Sequence, residues 1–344
     1  MQISDPELLQ ELEEIKKTLL NAIRKNDKEE QINAYKKLDD LEKKNNIKIN
    51  NVFDKFFLPI SKLSKNEIAL INKSGENNTT EYLETRKNKT ISIKIDFDVD
   101  YLDNEKITLP SNYTKYLDTV QMAIGSIMDC GEKYISAEQV IRKINGLTSK
   151  DKVQPDAIKE MEKIFKQLRG MFIRIDRSEE LKGITGSEHN ILGSTILDYG
   201  KYIEIKNQKG NKIKVYEIRE LPILYQYSKS IKQIRAIPIE LMKIKGLRSS
   251  KQNTVIKIWL LQQIESMKTT KKNGKHRNNI INIKTLFESL KYDIQFYEKN
   301  ERATKSKYIK QTFQILDYWK EKKYIKDYKQ NLKNRSLQSI EILL

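Results

Sequence analysis

One order of elements occurs twice in this 344-residue chain, and it limits the available folds more than any other feature. In the first copy, Thr114 to Met128 has helical spacing, with Leu117, Val120, Ile124 and Ile127 on one side. "GEKYI" reads as a turn and a short extended piece. "SAEQVIRKING" reads as a helix that Ser136 caps, Gln139 closes through a capping box and Gly146 ends. "QPDAIKEMEKIFKQLRG" reads as a third helix, with Pro155 in its first turn and Ile158, Met161, Phe165 and Leu168 as its buried stripe. "MFIRID" reads as a strand, and "KYIEIKNQKGNKIKVYEI" as two alternating strands about a turn.

The second copy begins with Thr254 to Met267, which is apolar on most faces and so belongs in a core. A basic loop, "KTTKKNGKHRNN", follows. Then come the short extended "IINI", the short helix "KTLFESL", the long helix around "TKSKYIKQTFQILDYWKEK" and the strand pair "YIKDYKQNLKNRSLQSIEILL". Helix, short strand, helix, helix, hairpin is the order of the winged-helix variant of the helix-turn-helix. The expected fold class is mainly α with small β-hairpins (α+β): two tandem winged-helix domains preceded by a helical N-terminal region.

The expected domains are a helical hairpin or coiled-coil arm over 1–50, a linker with a short strand over 51–105, and a first winged helix over 106–220. A connector over 221–245 then leads to a second winged helix over 246–344. The arm rests on Leu8, Leu12, Ile15, Leu19 and Ile23, continued by Ile32, Tyr35, Leu38 and Leu41. Self-association and packing on the rest of the chain are both open to it. "NKSGENNTTEYLETRKNKT" is polar and reads as a loop, and "ISIKIDFDV" alternates as a strand. In "LPILYQYSKSIKQIRAIPIELM", Pro222 and Pro238 exclude one long helix.

Charge separates the two copies. The chain carries a formal +18, of which residues 1–100 contribute about −1, residues 101–240 about +4 and residues 241–344 about +15. A general need for solubility does not call for such an imbalance. A polyanionic partner held through counterion release does.

Within the basic copy, a helical wheel puts Lys307, Lys310, Gln311, Gln314 and Tyr318 inside an arc of roughly 100°. Ile309, Phe313, Leu316 and Trp319 lie on the other side. Gln suits an adenine edge, and Lys suits guanine or a phosphate. Lys305, in the same lysine run, is counted with them as a DNA contact. Asp317 and Glu321 fall toward the helix end, away from N-terminal turns entering a groove. The hairpin adds Lys329, Lys333 and Arg335, and the basic loop adds Lys271, Lys272, Lys275 and Arg277, with Lys268 at its start. These are flexible cations suited to phosphates. The corresponding helix of the first copy offers Lys159, Lys163, Lys166 and Gln167, with Glu160 among them, as a secondary DNA or dimer surface.

Catalytic signatures are missing. No G-x-x-x-x-G-K-[ST] loop and no G-x-S-x-G occurs. Cys130 is the single cysteine, and His189 and His276 are the only histidines, far apart. Asp96, Asp98 and Asp100 fall on one strand face, which reads as an exposed edge rather than a Mg²⁺ site. The expectations are no catalytic residue, no metal, no cofactor, no signal peptide or membrane span, and a cytoplasmic location.

"LDTVQMAIGSIMDCGEKYISAEQVIRKING", "LPILYQYSKSIKQIRAIPIELM" and "ILDYWKEKKYIKDY" resemble segments of replication-initiator-like proteins of Gram-positive plasmids and mobile elements, of the dual winged-helix type. The resemblance covers about residues 105–344. It implies binding to repeated or palindromic origin DNA, opening of an AT-rich segment, a homodimer and recruitment of host replication proteins. It also implies that the C-terminal winged helix makes the stronger DNA contacts. A transcriptional regulator of a mobile element, or a phage or plasmid protein that blocks a host complex, are the alternatives.

Overall fold

The structure is a computed structural model. It describes residues 14, 37, 55–60, 79–86, 89–96, 101–102, 105–106, 114–148, 151–176, 178, 191–206, 212–268, 279–290, 293, 300–333 and 336–344. The chain divides into two compact units, residues 1–55 and 56–344. In the first, Glu14 and Lys37 are helical, and the rest of the expected N-terminal arm lies outside the described residues.

The second unit is a mixed helix-and-strand, α+β structure. It begins within β1 (Lys55–Pro59) and continues through β2 (Thr79–Arg86), β3 (Lys89–Asp96) and the two-residue strands β4 (Tyr101–Leu102) and β5 (Glu105–Lys106). Next are α1 (Lys115–Asp129), β6 (Tyr134–Ser136), α2 (Ala137–Asn145), α3 (Pro155–Gly170), β7 (Phe172–Asp176), β8 (Ile191–Thr195), β9 (Tyr199–Lys206) and β10 (Lys212–Ile218). A connector of α4 (Ile223–Ser230), β11 (Ile234–Pro238) and a 3₁₀ turn (Ile239–Met242) leads to α5 (Lys251–Lys268). The chain continues through β12 (Ile280–Asn282), α6 (Ile283–Ser289), α7 (Glu301–Glu321), β13 (Asp327–Lys333) and β14 (Ser336–Leu343).

The repeated order is accompanied by a repeated sheet. In the first module the strand order is β6-β10-β9, and in the second it is β12-β14-β13, antiparallel throughout. In each, the short strand between the first two helices pairs with the second strand of the hairpin. That leaves the hairpin's first strand on the outer edge.

Local sequence rules account for many boundaries. Ser136 Oγ accepts the Gln139 backbone N–H, and Gln139 Oε1 accepts the Ser136 N–H, so the capping box forms at α2. Gly146 ends α2 with φ 62°, and a Cβ there would lie 2.7 Å from the Ile239 carbonyl oxygen. Glycine is therefore required both for the left-handed turn and for the approach of the connector. Pro155 occupies the start of α3.

The polar stretch from Asn72 to Thr90 is not simply a loop. Residues 79–86 form β2, paired with β3 in register from Thr79↔Asp96 to Arg86↔Lys89. "TTEYLET" is rich in β-branched and aromatic residues, and that preference outweighs its polarity. β3 then pairs with β7, and β7 with β8, giving the order β2-β3-β7-β8. Strands from the stretch read as a linker thus share a sheet with strands inserted into the first module. β3 ends at Asp96, and Asp98 and Asp100 lie outside the described residues.

A single apolar core runs through both modules. Phe56 and Leu58 of β1 are fully buried in it, Phe57 N–H donates to Ser126 Oγ of α1 at 2.9 Å, and Gln262 Nε2 of α5 donates to the Pro59 carbonyl at 2.8 Å. The Asp293 carboxylate accepts the backbone N–H groups of Lys115 and Tyr116 at 2.8 and 2.9 Å. A residue from between α6 and α7 therefore caps the first helix of the other module.

Candidate nucleic-acid interface

α7 and the β13–β14 hairpin carry the residues expected to meet DNA. The buried face of α7 consists of Tyr308, Thr312, Ile315, Leu316 and Trp319. Ile309 and Phe313 are only half-buried, and Phe313 stacks on Tyr328 of β13 with centroids 5.7 Å apart. The helix is therefore turned relative to the wheel drawn from sequence, and the predicted recognition face divides in two.

One part is open. Lys307 and Lys310 are exposed and carry no ion pair among the described residues, as does Arg302 in the first turn. Lys305 is half-buried and pairs with Glu301 at 2.5 Å. The other part faces the connector. Tyr318 Oη donates to the Glu240 carbonyl at 3.1 Å, Gln314 Nε2 to the Lys245 carbonyl at 3.4 Å, and the neighbouring Trp319 Nε1 to the Leu241 carbonyl at 3.1 Å. Gln311 is half-buried, and its Oε1 is buried with no partner among the described residues. A helix face cannot offer these groups to a base edge while they hold the connector. Burial raises the Tyr318 pKa, so its hydroxyl remains a donor at neutral pH.

Further contacts brace the connector. Lys322 lies 3.9 Å from the Glu240 carboxylate. The fully buried Lys257 of α5 donates to the Met242 carbonyl at 2.5 Å, and burial lowers its pKa to about 7. Lys243 pairs with Asp151 at 2.7 Å, and that hydrogen bond, with those from Thr148, lowers the Asp151 pKa to about 2. Lys243, Lys257, Asn253, Asn145 and Arg248 help to line an open cleft at this junction.

The hairpin is fixed at its base and exposed beyond it. Tyr328 Oη donates to Asp317 at 2.7 Å, and Lys320 pairs with Asp327 at 2.8 Å. Asp317 of α7 and Asp327 of β13 are thus engaged within the module. From Lys329 to Lys333 every residue of β13 is exposed. Lys329 and Lys333 carry no ion pair among the described residues. Arg335, Lys271, Lys272, Lys275 and Arg277 lie outside the described residues.

On the first module, Lys159 and Lys163 are exposed on α3, whereas Lys166 and Gln167 are half-buried. Glu160, on the same helix, pairs with Lys251 at the start of α5 at 2.8 Å. Part of the surface assigned to DNA or a dimer therefore joins the two modules. Among the described residues no group of three His, Cys, Asp or Glu side chains is placed to hold a metal ion. No described helix is long and apolar enough to cross a membrane.

Sequence reasoning missed Arg302 and the carbonyls of Glu240, Leu241 and Lys245. Arg302 was legible as one more cation in the first turn of a basic helix. The carbonyls were not, because side-chain patterns carry no information about distant backbone acceptors.

No family model matches the chain, and no curated protein resembles it in sequence. A crystal structure of RctB domains 2–3 aligns at 10% identity and TM-score 0.45, covering 81% of this chain and 97% of that one. A selenomethionine form of RctB domains 2 and 3 aligns at 8% identity and TM-score 0.42, covering 81% and 98%. Similarity this weak passes neither activity nor partner from one chain to the other.

Proposed function

We propose that the chain is a non-enzymatic, sequence-specific double-stranded-DNA-binding protein that initiates replication of a plasmid or mobile element. In this reading its two modules are tandem winged helices, and the second grips the duplex. One observation carries it. The segment 241–344, which holds about +15 of the chain's +18, includes a helix and a hairpin that expose Lys307, Lys310, Lys329 and Lys333 without ion pairs among the described residues. Cations left unpaired in a protein are free to displace the counterions of a phosphate backbone.

The N-terminal half of α7, with Arg302, Lys307 and Lys310, enters the major groove. The hairpin and the basic loop take phosphates. Origin repeats, a homodimer and host replication proteins follow from the resemblance noted in the sequence, and the order of elements and strands in both modules supports that resemblance.

Footprinting the full chain on the DNA flanking its gene tests the binding. Maintenance of a minimal plasmid with and without the gene tests initiation. Protection of discrete repeats together with loss of maintenance is expected. Protection with unaffected maintenance reassigns the protein as a transcriptional regulator. Exposed Tyr202 and Ile203 on β9 favour a second reading, in which the first module docks on a protein. In that case a stoichiometric partner is captured with nucleic acid removed.

A further inference from the structure

Among the described residues three large apolar side chains are exposed: Tyr202 at 49%, Ile203 at 52% and Leu332 at 62%. Single exposed leucines are ordinary in soluble proteins. Here, however, all three sit on the outer hairpin strand of a module, β9 or β13. Among the described residues, exposure of large apolar side chains is thus confined to the corresponding outer strands of the two modules.

Leu332 is the most exposed of the three, and its setting is specific. The register of β13 on β14 shifts between Asn331 and Leu332, where the ladder passes over Gln338 of β14. Leu337, opposite Leu332 in the register, is half-buried and packs against the core, whereas Leu332, next to the turn of the hairpin, stays exposed. The exposed Lys329 and Lys333 flank it on the same strand without ion pairs among the described residues.

An apolar tip between two cations has the chemistry of a minor-groove wedge. The minor groove is too narrow for a helix but admits a side chain from a hairpin. Apolar residues inserted there unstack and kink flexible base steps while cations hold the flanking phosphates. We propose that Leu332 is a wedge that the second hairpin sets into the minor groove beside the site occupied by α7, with Lys329 and Lys333 on the adjoining phosphates. Leu332 then makes the protein selective for deformable pyrimidine–purine steps without a hydrogen bond to any base. The proposal rests on the reading that the chain binds duplex DNA.

The test uses the full chain and a duplex recovered by footprinting, labelled at both ends for energy transfer. Wild type bends the duplex. Leu332→Ala reduces the bend and weakens binding on the order of fiftyfold, the scale of withdrawing three carbons from contact, with the salt slope unchanged. Leu332→Met restores both, because its side chain is apolar and of similar volume. Lys333→Ala instead lowers the salt slope. If Leu332→Ala binds and bends as wild type does, the wedge is wrong while duplex binding stands. If the wild-type chain binds no duplex at any salt concentration, the wedge and the reading beneath it both fall.

Discussion

Trp319 Nε1 donates to the Leu241 carbonyl at 3.1 Å in the interior, tying the lysine-rich helix α7 to the connector between the modules. Trp319 is fully buried and also meets Tyr324 edge to face at 5.6 Å. Trp319→Phe keeps an aromatic ring there but leaves a buried carbonyl unpaired and some space unfilled. A loss of about 2–4 kcal/mol is expected in urea unfolding, the sum of an orphaned acceptor and a small cavity. A variant as stable as wild type would show that this bond does not hold the helix.

On the proposed reading, the connector bonds also decide which α7 residues are free to meet DNA. Tyr318→Phe and Gln314→Ala remove bonds to Glu240 and Lys245. They are expected to leave site preference in a selection experiment unchanged. Lys307→Ala and Lys310→Ala are expected to weaken binding to all duplexes and to flatten the salt slope by about 0.9 each where a phosphate contact is lost. If Gln314→Ala relaxes preference at one base pair, the helix turns on binding and the connector bonds break.

Lys257 makes stability depend on pH. Burial lowers its pKa from 10.5 to about 7. Between those values the unfolded chain binds more protons than the folded one, so stability rises with pH. Below about 7 both states are protonated and the contribution is flat. Tyr225 and Tyr324, whose pKa values are raised by burial and by Asp129 and Glu265 respectively, act in the opposite sense above pH 10. Urea unfolding of wild type and Lys257→Met between about pH 7 and 9.5 separates these effects. The wild-type slope is expected to be positive by comparison with the variant. Parallel curves would mean that the amine is not held neutral.

Asp293 caps α1 from another module, 178 residues away. Asp293→Ala is expected to cost about 1–2 kcal/mol, and Asp293→Asn to recover much of it, since an amide oxygen also accepts from the helix N-terminus. Calorimetry of the two variants checks this. Equal losses would show that charge rather than capping matters at this site.

The elements that could be read from the sequence are those set by rules within a few residues. Ser136 and Gln139, Gly146 and Pro155 mark helix ends by their own chemistry, and both hairpins announce themselves by alternation. β2 was hidden by polar residues whose partners lie on β3, and the Asp293 cap by its distance in sequence. At the candidate site, the exposure of Lys307, Lys310, Lys329 and Lys333 was legible because cations without partners stay in water. The rotation of α7 was not. Phe313 reads as a core residue, yet it lies half-exposed against Tyr328, and the true core face centres on Tyr308, Thr312 and Trp319. The connector, which Trp319 reaches across 78 residues, helps to fix that angle.

The most direct measurement is the salt dependence of duplex binding by the full chain and by a variant with Lys307, Lys310, Lys329 and Lys333 all changed to alanine. Wild type should show affinity falling steeply with salt, and the variant's log–log slope should be shallower by about 3–4 units. Equal slopes, or no salt-sensitive affinity for any duplex, would contradict the assignment of this module to DNA.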